Sequence, residues 1–251
     1  PPLALEAAVE LWCRLTRADD GPETRRLIAR LDGLPRSLCW VANRASLLAG
    51  DAVTGWLRAW LSEDTHESWQ SRALTESLDG LSDELRNGLE RLSLYDSGVA
   101  TTALSDVAVG IDDVALLQRK ALVHVASASL PNAPPRVVVY WPVRQRLRRE
   151  LRARGRFEAA MQEHASAVML RCLDAKPAVI RVERAELELI ARRSVSPELI
   201  EAACVQLASL ALDEGSAREL AEQLAALPPA SPDALLALAR LERRLGRIGA
   251  A

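Results

Sequence analysis

"LIARLDGLPRSLCWVANRASLLAG", Leu27 to Gly50, places a Gly-Leu-Pro corner between two apolar-periodic runs. Leu27, Ile28 and Leu31 precede the corner. Leu34, Leu38, Val41, Ala45 and Leu48 follow it at three- and four-residue spacing, the signature of one buried helical face. On these residues alone, the corner needs only a glycine that can turn and a proline that can start a helix. The stripe resumes in "AVTGWLRAWLSE" with Val53, Trp56, Leu57, Trp60 and Leu61, so residues 23 to 63 read as three helices with short connections.

From Ser82 the character changes. "SDELRNGLERLSLY" predicts a helix with acids in its first turn, where they suit the helix dipole. A short helix fits Thr101 to Val109, and a third runs from Asp113 to about Val123. "LVHVAS" and "RVVVYW" are then β-branched runs separated by the Pro-rich "LPNAPP". Three helices and a two-stranded ribbon, in that order, predict a winged helix. After Val143 the chain is helical. Ser196-Pro197-Glu198 is a helix start, and Ser231-Pro232-Asp233 repeats it 35 residues on, near the ~34-residue period of helical-hairpin repeats. Ser216-Ala217-Arg218-Glu219 reads as a capping box, Pro228-Pro229 as its helix's stop and Leu245-Gly246-Arg247 as an inter-helix turn.

The composition excludes several classes. Of 251 residues, 49% are hydrophobic but only 4% aromatic, so Leu, Ala and Val must fill the core. A net charge of −2 gives no global attraction to nucleic acid or membrane. No apolar run suits a membrane span and no signal peptide opens the chain, so a soluble, cytoplasmic protein is expected. The start at Pro1-Pro2 leads us to expect a piece of a longer protein. Cys13, Cys39, Cys172 and Cys204 are far apart, without metal-ligand spacing to His66, His124 or His164, and are expected to be free thiols; no metal is expected. Only Lys120 and Lys176 are present, and neither follows a Gly-rich turn, so there is no phosphate loop. The acidic pairs Asp19-Asp20, Glu63-Asp64 and Asp112-Asp113 fall at helix ends, where capping explains them better than acid–base catalysis. The chain alone is not expected to be an enzyme.

The order of elements resembles the part of STAND-class signal-transduction ATPases (NB-ARC-like, as in AfsR-type and LuxR-type transcriptional regulators) that follows the nucleotide-binding core. "AAVELW" is similar to that family's first helix after the core, and Leu31-Asp32-Gly33-Leu34-Pro35-Arg36-Ser37-Leu38 to its L-D-G-L-P-L-A-L. "SLDGLSDELRNGLERLSLY", "LLQRKALVHV" and "VVVYWPVRQRL" resemble its successive winged-helix motifs. Met161-Gln162-Glu163-His164-Ala165 echoes the segment that follows the winged helix. Residues beyond these resemble only generic helical repeats.

The resemblance implies a mainly α protein in three parts: a helical, ARC-type domain at 1–72, a winged helix at 73–158 and hairpin repeats of tetratricopeptide type at 159–251. It implies that Gly33 and Pro35 lie against the adenine of a nucleotide held by an adjoining core. The family's phosphate-sensing histidine, at the end of the second wing strand, aligns with Tyr140, followed here by Trp141-Pro142. A phenol can donate to phosphate but cannot carry imidazole's charge. The implied function is a regulatory lever coupling ADP or ATP, bound in the full-length protein, to an effector. The fragment itself would hold no cofactor. The implied partners are its own NTPase core and effector domain, further copies of the chain, and a protein on the repeats. The alternatives are a free-standing winged-helix DNA-binding regulator and a protein-binding scaffold without ligand.

"RQRLRRELRARGR" carries seven arginines between Arg144 and Arg156, with Leu147 and Leu151 keeping an apolar stripe. Arg144, Arg148, Arg149, Arg152 and Arg156 are expected on a solvated or interdomain face, where they could meet acidic surfaces or DNA. Specific DNA reading is not expected. Asp112 and Asp113 open the third helix of the winged helix, and the wing tip has no positive charge.

Overall fold

The computed structural model describes residues 1–46, 48, 51–62, 68–127, 133–173, 175–194, 196–210, 212–227 and 231–246. Gly50, the Glu63–Asp64 pair, His66, the wing-tip residues 128 to 132, the Pro228–Pro229 stop and Arg247 lie outside these residues. The chain is mainly helical, with one small three-stranded antiparallel sheet. In order, the elements are α1 (Leu5–Thr16), α2 (Pro22–Arg30), α3 (Pro35–Ala45), α4 (Asp51–Ser62), α5 (Trp69–Asp79), α6 (Asp83–Leu92) and β1 (Val99–Ala100). A 3-10 helix (Thr101–Val107) leads to α7 (Ile111–Arg119), β2 (Val123–Ala126), β3 (Arg136–Val139) and α8 (Trp141–Ala153). Then come α9 (Phe157–Cys172), α10 (Pro177–Val182), α11 (Arg184–Arg193), α12 (Pro197–Ala208), α13 (Glu214–Ala226) and α14 (Pro232–Arg244).

Two compact units divide these elements: residues 1–89, 107–125 and 139–143 form the first, and 90–106, 126–138 and 144–251 the second. In the first, α3 packs against α1 and α5, and α2 against α1 and α4. Trp12, Leu27, Leu31, Leu38, Val41 and Leu57 fill its core. The indoles of Trp60 and Trp69 lie 5.0 Å apart, and the Arg72 guanidinium sits 4.5 Å over Trp60. Of the stripe Val53, Trp56, Leu57, Trp60 and Leu61 read from the sequence, Val53, Leu57 and Trp60 are core, while Trp56 and Leu61 are half-buried.

In the second unit α12 is central, packing against α9, α11, α13 and α14. Ser196 and Ser231 cap α12 and α14, accepting from the N–H groups of Leu199 (3.3 Å) and Ala234 (3.2 Å). The expected capping box at Ser216 is not formed. Asp213 is the cap of α13, accepting from the Ser216 N–H at 2.9 Å, while Glu219 pairs with Arg192 at 3.0 Å. The helix begins one residue after Asp213, so Ser216 already lies in its first turn and donates both its N–H and its hydroxyl to the Asp213 carboxylate. Burial pushes the Cys172 thiol up to about 11 and Cys204 up to about 12, so neither is a thiolate at neutral pH.

The sheet has the order β1-β3-β2. Two of its strands were expected; β1, two residues long, was not. Val99 and Ala100 pair with Val137 and Arg136. Gly98, at φ 80°, makes that entry: a Cβ there would lie 2.4 Å from the Val137 carbonyl oxygen. The third expected helix also stops early. α7 ends at Arg119, and Ala121 turns left-handed at φ 54°, leaving Val123 free to begin β2.

The second unit also buries a charge cluster. Glu186, fully buried, accepts from both the N–H and the hydroxyl of Ser97 at 2.7 Å, and His164 Nε2 lies 3.2 Å from its other oxygen. Burial alone would raise this carboxyl; His164 and Ser97 outweigh it and hold Glu186 below its ordinary range. Tyr95 meets the His164 ring edge-on at 4.3 Å. Arg136 donates to the carbonyls of Ser97 and Val182 and pairs with Glu183 at 3.3 Å.

Candidate functional site

The Gly-Leu-Pro corner is built from two successive left-handed residues, Asp32 at φ 53° and Gly33 at φ 61°. Gly33 donates back to the Ile28 carbonyl (3.0 Å), closing α2, and Leu34 steps into α3 in extended geometry. Pro35 then occupies the first turn of α3, where a missing N–H costs nothing. No side chain caps this N-terminus, which leaves the positive end of the helix dipole without a side-chain acceptor.

Arg36 is the next residue, and it is exposed. Its guanidinium carbon stands 3.7 Å over the ring of Tyr140. The His124 imidazole also stacks on Tyr140, with centroids 4.9 Å apart and planes tilted by only 23°. Guanidinium and imidazole thus share the phenol ring as a common partner. Tyr140 reaches this place because its N–H donates to the Leu122 carbonyl at 3.1 Å. That register makes Tyr140 and His124 diagonal neighbours on one face of adjacent strands. The cation–π contact contributes about 0.5–1 kcal/mol at an exposed position.

The stack stands on a rigid base. Three successive carbonyls at the end of α7 each receive a side-chain donor: Arg119 from Asn43 (3.0 Å), Lys120 from Ser77 (3.2 Å) and Ala121 from the Trp40 indole (3.1 Å). A helix C-terminus leaves such carbonyls without partners, and here α3 and α5 supply them. The same bonds fix the start of β2, and with it His124, against the helix that carries Arg36.

The polar groups of the stack are unspent. Among the described residues no carboxylate pairs with Arg36, nothing hydrogen-bonds the Tyr140 hydroxyl, and the buried His124 Nδ1 has no partner. Arg36 offers a planar fork of donors, and the aromatic ring beneath it holds that fork in one plane. Such an arrangement suits recognition of a phosphate or carboxylate. It contains no nucleophile paired to a base.

The structure places the expected residues as follows. Pro35 and Tyr140 belong to one locality, joined by Arg36. Gly33 is buried, and the close approach it permits is taken by the chain itself: the Leu3 N–H donates to its carbonyl at 2.9 Å, and a Cβ would lie 2.8 Å from the Leu3 oxygen. Arg149, Arg152 and Arg156 are exposed, with Arg152 over the Phe157 ring at 3.9 Å. Arg144 is half-buried and pairs with Asp96 at 3.3 Å. Arg148 departs from the expected surface position. It is 6% exposed and donates to the carbonyls of Ser93 (2.7 Å) and Leu94 (2.6 Å) and to Asp96 (2.9 Å). Burial lowers its pKa, but a guanidinium stays charged, so these three acceptors are what allow it inside.

Sequence reading missed Arg36 and His124 as site residues. The register of two antiparallel strands was the available sign, because it sets His124 beside Tyr140. No protein-family model matches the sequence, and no curated protein matches it at a significant level.

Proposed function

We propose that this chain is the regulatory part of a nucleotide-controlled switch of the STAND class, in which a helical domain and a winged helix respond to ADP or ATP held by an adjoining core and helical repeats pass the change to an effector. The observation that carries this reading is the Arg36–Tyr140–His124 stack beside Pro35 at the open N-terminus of α3. The flat proline suits a base and the stacked cation suits phosphate. Here His124, on the neighbouring strand, brings an imidazole to the side of Tyr140 that the family's pattern would fill from position 140 itself. A winged helix that reads DNA is less well supported, since α7 opens with Asp112 and Asp113 and the latter accepts from the Gly110 N–H at 2.8 Å.

The test is an NMR titration of the chain with ADP and with inorganic phosphate. Without a phosphate loop the chain neither hydrolyses ATP nor binds it tightly; ADP binds weakly, on the order of millimolar, and shifts Arg36, His124 and Tyr140. Arg36→Ala abolishes those shifts. Shifts that miss all three residues, or sequence-selective duplex DNA binding tighter than about 10⁻⁷ M at physiological salt, would overturn the reading.

A further inference from the structure

The second unit carries an open cleft of about 590 Å³ walled by the strand-flanking residues Ala126 and Pro134 on one side and by α10 and α11 on the other. Its apolar lining is Ala126, Ala133, Pro134, Val182 and Ala185. Its charges are Arg136, Arg181, Arg184 and Glu188.

These cations are not equivalent. Arg136 is spent: its guanidinium serves the Ser97, Gly98 and Val182 carbonyls and Glu183. It is a fixed positive wall. Arg184 is half-neutralised by Glu188, four residues on, at 2.7 Å. Arg181 is exposed and makes no hydrogen bond or ion pair among the described residues. It lies in the last turn of α10, Arg184 opens α11, and both line the cleft. The cleft therefore combines an apolar lining with a surplus of positive charge.

We propose that this cleft is a docking groove for an extended acidic peptide segment with alternating aliphatic side chains. Charge complementarity selects carboxylates, which the Arg181 fork takes in bidentate geometry while the aliphatic residues meet Val182 and Ala185. Single-stranded nucleic acid fits poorly. Among the described residues no aromatic ring lines the groove to stack a base, and two available arginines are too few to draw a phosphate backbone at physiological salt. This inference does not depend on the nucleotide reading.

The experiment is a fluorescence-anisotropy titration of the intact chain with a fluorescein-labelled peptide of alternating Glu and Leu. A Lys/Leu peptide of equal length and an oligothymidylate serve as comparison probes. The Glu/Leu peptide binds, and Arg181→Glu weakens it by about tenfold or more at low salt. Among the described residues the Arg181 guanidinium holds no partner, so that substitution leaves the fold intact, which circular dichroism verifies. Arg149→Glu, an exposed arginine on α8, leaves binding unchanged. Absence of binding, equal binding of the Lys/Leu peptide or the oligothymidylate, or equal losses from Arg181→Glu and Arg149→Glu would each overturn the proposal.

Discussion

Replacing Glu186 with alanine tests whether the buried charge cluster holds the second unit together. The substitution strips the partner from three donors at once: the Ser97 N–H, the Ser97 hydroxyl and the His164 ring. Each buried donor left without an acceptor costs about 1–3 kcal/mol. Removing the carboxylate also removes its own desolvation cost, which offsets part of the sum. The net loss is about 3–5 kcal/mol, the cost of three buried donors left without their acceptor less that offset. With a urea dependence of about 2–3 kcal/mol per molar, the unfolding midpoint falls by about 1–2.5 M. Glu186→Gln keeps an oxygen for Ser97 and loses about 1–2 kcal/mol. The pH dependence fixes the sign. Because the folded-state pKa of Glu186 is lowered from 4.5, its contribution is complete above that value and is lost as pH falls through the folded one. The gap between wild type and Glu186→Ala is therefore full at neutral pH and narrows in acid. Urea titrations at several pH values, with hydrogen exchange at the Ser97 amide as the local readout, supply the check. A loss under about 1 kcal/mol with unchanged Ser97 protection, or a gap that widens in acid, would refute the argument.

Gly33→Ala forces a Cβ into a left-handed residue and against the Leu3 carbonyl, so it costs about 1–2 kcal/mol by thermal denaturation and raises amide exchange at Leu3. Arg148→Met keeps the length but leaves the Ser93 and Leu94 carbonyls and Asp96 without their donor, and lowers stability by about 2–4 kcal/mol in the same urea assay; Arg149→Met, on the exposed side, changes it by less than about 0.5 kcal/mol.

What the sequence made legible was local. The helices of residues 23 to 63 follow from apolar spacing, and the starts at Ser196 and Ser231 follow from a serine before a proline, because a cap satisfies donors only three residues away. The competition between Ser216 and Asp213 is also local, yet composition gives no rule for the winner. Arg148 was misplaced because the apolar stripe of α8 was drawn through Leu147 and Leu151 alone. A buried helical face is broader, and position 148 falls within it. β1 is too short to show a period. The stack of Arg36, Tyr140 and His124 depends on three segments meeting in space, and only its strand half was inferable from register.

The interleaving of the two units sets an order of events during synthesis. Residues 90–106 belong to the second unit, but the chain turns back to the first for residues 107–125 before the rest of the second exists. The first unit is complete once residue 143 has been made. Ser97 must wait for Glu186, 89 residues later. At about 5–20 residues per second that delay is roughly 4–18 s, far longer than the microseconds a helix needs to form. Throughout it, the segment around Ser97 lacks its carboxylate and α11, and until residue 172 has been made it lacks α9 as well. A nascent chain halted between residues 143 and 186 would thus present a finished first unit trailing an unsatisfied loop. That is where a chaperone or a protease has its best opportunity, and where synonymous changes in translation speed would alter yield without changing one residue of the protein.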